Sequence, residues 1–72
     1  MALDLGGFNR NVQAEMARNG ITQGDLARSL DMHQAAVSRR LTGRTDWTLP
    51  EVTKVADLLN VPLSALLPEV AA

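Results

Sequence analysis

The chain has 72 residues, no cysteine, and a formal net charge of −1 at pH 7. A chain of this length forms one small domain, and without cysteine it forms neither a disulfide nor a thiolate metal site. No apolar run approaches the roughly 20 residues that span a bilayer, and the first residues resemble no signal peptide, so we expect a cytoplasmic domain without a membrane partner.

The first predicted helix follows from apolar residues that recur every four positions, at Phe8, Val12 and Met16. This spacing places them on one face of a helix. We expect the helix to run from Phe8 to Asn19 and to end at Gly20, because both Asn and Gly tolerate the left-handed conformation that stops a helix. Residues 1–7, which include two glycines, are expected to form a flexible lead.

A second helix is predicted from Thr22, because Thr22 and Asp25 have the spacing of a capping box. Its pattern breaks at Asp31 after about eight residues. Its apolar side is formed by Leu26, Ala27 and Leu30.

A third short helix is expected from about His33 to Leu41, closed by Gly43. Its inward residues are predicted to be Ala36, Val37 and Leu41.

The fourth helix is predicted from the capping box of Thr48 and Glu51, with Pro50 in the first turn. It ends at Asn60, and a fifth helix, residues 63–67, follows before Pro68. The fourth helix's expected buried stripe is Leu49, Val52, Val55, Ala56 and Leu59.

The connection before the fourth helix contains the single tryptophan, Trp47. It is expected to pack this connection against the fourth helix, with stacking on a nucleic acid as the alternative. No stretch shows strand alternation, so the predicted fold class is all-α.

The charge is distributed unevenly. Residues 28–44 contain four arginines and one acid, a local charge of +3, whereas the rest of the chain has three cations and seven acids, a charge of −4. Association with phosphate depends on such a local patch and not on the mean charge, so the segment favours a polyanionic partner. The alternative is that these arginines form a solvated helix face.

Two short helices joined by about three residues, at 22–41, have the arrangement of a helix-turn-helix. The motifs T-Q-x-x-L-A at 22–27, V-S-R-R-L-x-G at 37–43 and L-P-E-V-x-K-V-A-D-L-L-N-V at 49–61 resemble the Cro/lambda-repressor-type (XRE-like) helix-turn-helix family. The resemblance implies a compact five-helix bundle over residues 8–67, followed by a tail at 68–72. The sequence departs from the family pattern at Asp31, where glycine is usual.

The resemblance also implies a double-stranded DNA partner, read in the major groove by the third helix. Residue chemistry agrees, since Arg39 can bond guanine, Gln34 can bond adenine and the Ala35 methyl can meet a thymine methyl. His33 remains open between a base contact and a helix cap. The expected base contacts are Gln34, Ala35, Ser38, Arg39 and His33.

Phosphate contacts are implied at the start of the second helix and beyond the third. Arg40 stands at a position that is often apolar and remains open between a phosphate contact, an ion pair and a solvent-facing side chain. The expected phosphate contacts are Gln23, Thr22, Thr42, Arg44 and Arg40.

These features favour a sequence-specific transcriptional regulator, expected to be a small Cro-like or repressor-like phage protein in which the whole chain is the DNA-binding unit. The alternatives are a protein-interaction module on the same fold, a DNA-binding antitoxin or a recombination accessory protein. No enzyme activity, metal, cofactor or small-molecule ligand is expected. Because one short helix reads few base pairs, we expect a two-fold operator and a homodimer through Leu63, Leu66 and Leu67.

Overall fold

The computed structural model describes residues 5–68, which form five α-helices and contain no strand. This confirms the predicted all-α class. Residues 1–4 of the predicted lead and residues 69–72 of the predicted tail lie outside the described part. The helices are α1 (Leu5–Asn19), α2 (Gln23–Leu30), α3 (Gln34–Leu41), α4 (Leu49–Leu59) and α5 (Leu63–Leu66).

Helix α1 begins at Leu5, three residues before the predicted start at Phe8. The expectation that residues 5–7 belong to a flexible lead is therefore wrong. Glycine lowers helix propensity by about 1 kcal/mol, but packing of an apolar face supplies most helical stability in proteins. Here Gly7 and Phe8 are both buried, so tertiary packing extends the helix through the two glycines.

Two capping boxes start α2 and α4, as predicted. The Thr22 hydroxyl accepts from the Asp25 N–H at 3.1 Å, and the Asp25 carboxylate accepts from the Thr22 N–H at 2.9 Å. Thr48 and Glu51 make the same reciprocal pair at 3.3 and 2.9 Å. Each box satisfies two backbone donors that the helix leaves free, so both helix starts are fixed by local sequence.

A residue with left-handed backbone lies one or two positions after each of the first four helices, as their sequences predict. Asp31 has φ 55° and Asn60 has φ 57°, while Gly20 and Gly43 follow α1 and α3. Around Asp31, the Met32 N–H donates to the Ala27 carbonyl at 2.9 Å. This bond is the Schellman closure that lets α2 stop and the chain turn sharply. Asp31 therefore fulfils the role that glycine usually has at this turn.

One hydrophobic core lies between the five helices. Its composition shows that two predictions were wrong. Leu66 is fully buried, so it belongs to the core and the prediction that it forms a dimer surface is wrong. Leu49 was expected in the buried stripe of α4 but is 66 % exposed, because periodicity gives a side chain's direction and not whether another element covers it. The core consists of Phe8, Val12, Met16, Leu26, Ala27, Leu30, Val37, Leu41, Trp47, Val52, Val55, Ala56, Leu59 and Leu66.

Helices α2 and α3 pack against each other across a three-residue connection, forming the predicted helix-turn-helix. Helix α4 packs on α2, and α5 closes the core against α1 and α4. Val37 and Leu41 of α3 point into this core. The bundle thus holds α3 along one side only, and its other side is open.

Candidate nucleic-acid interface

The open side of α3 carries the side chains that were predicted to contact bases. Gln34, Ala35 and Arg39 are exposed, and Ser38 is half-buried. Gln34 and Ser38 are four residues apart, as are Ala35 and Arg39, so both pairs lie on one face. We call this surface, Gln34, Ala35, Ser38 and Arg39, the α3 face. It combines an amide, a methyl, a hydroxyl and a guanidinium, which can distinguish base edges by hydrogen bonding and apolar contact.

Two cations at this surface have no acidic partner among the described residues. Arg39 and Arg44 are exposed, and neither takes part in any of the ion pairs found between residues 5 and 68. Arg28, in contrast, pairs with Asp25 on α2. Residues 28–44 owe their positive charge to four arginines. At least two of these, Arg39 and Arg44, can therefore bind an anion without first leaving an acidic partner in the described part of the chain.

The start of α2 lies beside the start of α3. A Cβ built on Gly24 would be 3.5 Å from Gln34 Oε1 and 3.7 Å from Thr22 Oγ1, which places these groups around one point. Thr22 is exposed and Gln23 is half-buried. The first N–H groups of a helix lack internal acceptors and carry its positive dipole end. The predicted phosphate contacts Thr22 and Gln23 thus adjoin the α3 face.

Arg40 is engaged inside the protein. Its Nε donates to Glu51 Oε1 at 3.0 Å and its Nη1 donates to the Ala36 carbonyl at 3.1 Å. Only 16 % of its side chain is exposed, compared with 21 % for Glu51. Of the three readings left open by the sequence, the structure shows the ion pair, and Leu41 occupies the core position instead.

Thr42 and His33 mark the two ends of α3. The Thr42 hydroxyl, predicted to contact phosphate, donates to the Ser38 carbonyl at 2.9 Å, so its single donor already has an acceptor. His33 is the N-cap residue, but its side chain makes no capping hydrogen bond and is exposed. The imidazole therefore remains available beside Gln34.

Sequence reasoning missed a set of polar side chains on α1 that hold the C-terminal end of α3. Asn9 Nδ2 donates to the Arg40 carbonyl at 2.9 Å, and Gln13 Nε2 donates to the Leu41 carbonyl at 3.3 Å. The last carbonyls of a helix have no internal donors, so these amides cap them from another helix. Their four-residue spacing along α1 was a visible signal, but it did not reveal what they would face.

Trp47 is buried, as the packing prediction requires, but its ring contact and side-chain hydrogen bond are with α1 and not with the predicted α4. Its ring lies edge-on to Phe8 with centroids 6.1 Å apart, and its Nε1 donates to Asn9 Oδ1 at 2.7 Å. Trp47 is 6 % exposed, which leaves no ring face for stacking on a base. Asn9 thus joins the connection that follows α3 to the end of α3 itself.

Two carboxyl groups in the capping boxes have a lowered pKa. For Asp25 the main cause is the hydrogen bond from the Thr22 N–H, and the neighbouring Arg28 acts in the same direction. For Glu51 burial favours the neutral form, but hydrogen bonds from the Thr48 N–H and Arg40 outweigh it, so its pKa also falls. Both groups are therefore held in the charged form that caps a helix N-terminus.

Residues 5–68 contain no cluster of three or more groups that could hold a metal ion. Within the same residues, no helix has both the length and the apolar character needed to cross a membrane. The chemistry available at the α3 face is therefore hydrogen bonding, charge pairing and methyl contact.

Comparison with known proteins agrees with this geometry. The model of the XRE-type helix-turn-helix family matches residues 12–66, which include all of α2, α3, α4 and α5. The chain belongs to this helix-turn-helix family. The match supports a DNA-binding regulator of the XRE type, a class that is typically non-enzymatic. No curated protein matches the chain.

Proposed function

We propose that this protein regulates transcription by binding a specific sequence of double-stranded DNA, with α3 in the major groove. The observation that carries the proposal is the α3 face, which is polar and largely exposed, and whose Arg39, like the neighbouring Arg44, has no acidic partner among residues 5–68. An α-helix fits the major groove of B-form DNA, where each base pair presents a different set of donors, acceptors and methyl groups.

Base recognition is assigned to the α3 face together with His33. Arg39 would donate two hydrogen bonds to a guanine, and the Gln34 amide would pair with an adenine. The Ala35 methyl would contact a thymine methyl, while Ser38 and His33 accept or donate according to the base. Good bidentate contacts each contribute about 1–3 kcal/mol of discrimination, so Arg39 and Gln34 would dominate specificity.

Phosphate contacts are assigned to Thr22, Gln23 and Arg44, which flank the α3 face on its two sides. The N-terminus of α2 offers backbone donors and a positive dipole end to a phosphate, and Arg44 offers a free charge. Arg40 and Thr42 are left out of this set because their donors already serve Glu51 and the end of α3. Such contacts fix the register of the protein on DNA without reading sequence.

Two copies of the chain are proposed to bind one operator. Helix α3 has eight residues and reads only a few base pairs, so useful specificity requires two half-sites about one helical turn apart. With Leu66 in the core, the half-buried Leu63 and Leu67 remain as residues for contact between copies. Sedimentation with and without DNA tests this assignment, and a monomer under both conditions would remove it.

The proposed function is tested by selecting duplexes from a random pool with the purified protein and measuring affinity against salt. We expect log K to fall with log salt at a slope of about −0.9 for each phosphate neutralised. Arg39→Ala should lose about 1–3 kcal/mol of discrimination at one base pair, whereas Arg44→Ala should weaken binding to all sequences equally. Lys54→Ala, an exposed cation of α4, is the charge-matched control.

Failure to enrich any sequence would contradict the proposal. The alternative of a protein-interaction module on the same fold predicts this failure, with duplex binding no stronger than background. If Arg39→Ala left discrimination unchanged at every position of the selected duplex, the base-reading role of α3 would be refuted even though DNA binding remained.

A further inference from the structure

We infer that Arg40 and Glu51 form a positioning pair that sets the orientation of α3 on DNA without touching DNA. The inference rests on the proposed function and names residues that determine its specificity. Arg40 lies on the recognition helix and Glu51 lies in the first turn of α4, eleven positions later. Neither residue belongs to the α3 face.

Glu51 is hydrogen-bonded within α4 as well as to Arg40. Glu51 Oε1 accepts both the Arg40 Nε at 3.0 Å and the Thr48 N–H at 2.9 Å. The second bond is part of the capping box, so the carboxylate is positioned by its own helix as well as by Arg40. Arg40 in turn is fixed by its bond to the Ala36 carbonyl on its own helix. The ion pair therefore joins the body of α3 to the start of α4.

Arg40 is also hydrogen-bonded to α1. Asn9 Nδ2 donates to the Arg40 carbonyl, so Arg40 is anchored through its side chain to α4 and through its backbone to α1. Two anchors on different helices restrict rotation of α3 about its own axis. Base contacts require hydrogen-bond geometry within narrow limits of distance and angle, so a small rotation would weaken Arg39 and Gln34 together.

A phosphate-contacting Arg40 would behave differently in measurable ways. It would contribute to the salt dependence of every duplex, and removal of Glu51 would free it for DNA. In addition, Glu51→Gln makes the protein more positive, so overall charge alone predicts tighter DNA binding. If Arg40 and Glu51 are a positioning pair, Glu51→Gln should instead bind its specific DNA sequence more weakly than the wild type does.

The test compares three variants with the wild type on two duplexes, one selected from a random pool by the wild type and one scrambled. Arg40→Met keeps an apolar stem and removes the charge. Glu51→Gln keeps a neutral acceptor for the capping box and for Arg40, since Gln serves this position, but removes the negative charge that pairs with Arg40. Arg40→Lys restores a cation without the fork of donors. Circular dichroism at the assay temperature gives the folded fraction of each.

We expect Arg40→Met to lower the ratio of selected to scrambled affinity by about tenfold, the size of one lost base contact, and Glu51→Gln to lower it by a smaller factor because a neutral acceptor remains. The salt slope should be unchanged in both, and the double variant should lose no more than Arg40→Met. Arg40→Lys should lie between Arg40→Met and the wild type. Because Glu51→Gln retains its cap, it tests the inference even where Arg40→Met folds poorly.

Three results would overturn the inference. A salt slope reduced by about 0.9 in Arg40→Met, with Glu51→Gln binding as tightly as the wild type or more so, would make Arg40 a phosphate contact. Equal losses on both duplexes would show a role in folding alone. Failure of the wild type to bind any duplex would refute the proposed function and this inference with it. The wild-type measurement separates this outcome from failure of the inference alone, in which the wild type binds its selected duplex normally.

Discussion

Asn9 and Trp47, 38 residues apart in the chain, are joined by a buried hydrogen bond of 2.7 Å between the Trp47 indole N–H and the Asn9 side-chain oxygen. The same amide donates to the Arg40 carbonyl. Asn9 is 5 % exposed and is the one buried polar residue of the described chain. One side chain thus joins α1 to both the end of α3 and the connection after it.

Replacing Asn9 is expected to destabilise the fold strongly. Asn9→Leu matches the side chain in size but leaves the Trp47 N–H without an acceptor in a buried position. An unsatisfied buried donor costs about 1–3 kcal/mol, and the Arg40 carbonyl still accepts from the Gly43 N–H at 3.1 Å, so we expect a loss of about 1–3 kcal/mol. Urea unfolding followed by far-ultraviolet circular dichroism measures it.

The matched control for Asn9 is Gln13→Leu, four residues along the same helix. Gln13 is exposed and its bond to the Leu41 carbonyl is longer, 3.3 Å, so water can replace it. We expect a change within about 0.5 kcal/mol. Equal effects of the two variants would show that Asn9 contributes no more than an ordinary surface amide.

The left-handed turn between α2 and α3 predicts a stabilising substitution. Asp31 has φ 55° and ψ 48°, a conformation that costs an L-residue roughly 1–2 kcal/mol and costs glycine little. Asp31 also places a negative charge at the C-terminal end of α2, where the helix dipole is unfavourable to anions. Asp31→Gly should therefore raise the free energy of unfolding by about 1 kcal/mol.

Asp31→Ala separates the two causes, since it removes the charge but keeps the strain of the left-handed backbone. We expect it to be clearly less stable than Asp31→Gly in thermal and urea unfolding. If Ala and Gly at this position gave equal stability, backbone strain at the turn would not be the source of the gain.

Substitution of Gly24 by alanine is expected to raise the stability of the protein and to lower its affinity for DNA. A methyl group there would make only ordinary contacts, 3.5 Å from Gln34 Oε1, so Gly24→Ala should stabilise α2 by about 0.5–1 kcal/mol. Glycine also permits close approach of the backbone to a ligand, and Gly24 lies where α2 is proposed to meet phosphate. Affinity for selected and scrambled duplexes should fall together.

These two effects are read in one preparation, by thermal unfolding and by duplex titration. Ser29→Ala, an exposed position on the same helix, provides the comparison for a small change away from the start of α2. Tighter DNA binding by Gly24→Ala would argue against phosphate contact at this helix end.

The two capping carboxylates predict loss of stability in acid. Asp25 and Glu51 have pKa values below the ordinary 3.8 and 4.5, because the folded state stabilises their charged forms. The unfolded chain therefore binds protons first as pH falls. Their contribution is fully present above the ordinary pKa values and is lost as pH drops through the folded ones, so stability should decline below about pH 5.

Glu51→Gln should make this acid decline shallower, since Gln does not titrate but can still cap. Asp57→Asn, which changes an exposed carboxylate of α4 that forms no ion pair in the described part, is the control. Urea unfolding at a series of pH values provides the comparison. An acid decline of unchanged steepness in Glu51→Gln would show that this carboxylate does not contribute.

Local sequence determined much of the fold. The capping boxes at Thr22 and Thr48 and the left-handed stop at Asp31 involve residues within a few positions of each other, so their spacing predicts their structure. The start of α1 was mispredicted because Gly6 and Gly7 have low helix propensity, and only the packing of their neighbours overrides it. The burial of Leu66 and the exposure of Leu49 could not be predicted, because each depends on whether another helix covers the side chain.

The candidate interface also has one part that the sequence predicts and another that depends on packing between helices. The α3 face was implied by the family resemblance, and helical spacing agrees with it, since this spacing puts Ala35 and Arg39 on one side and Val37 on the other. The partners of Arg40 were not predictable, because Glu51 and Asn9 reach it from other helices. Periodicity orients a side chain about its own helix, but the contacts between helices depend on how the bundle is assembled.

The central claim is that the α3 face lies in the major groove, and intermolecular NMR contacts in a complex with the selected duplex test it most directly. The Ala35 methyl, which is exposed on this face, should show contacts to thymine methyl or other major-groove base protons. Amide shifts should be largest across residues 33–39 and at the start of α2. Base contacts from another face of the bundle, with the Ala35 methyl remote from the duplex, would contradict the account.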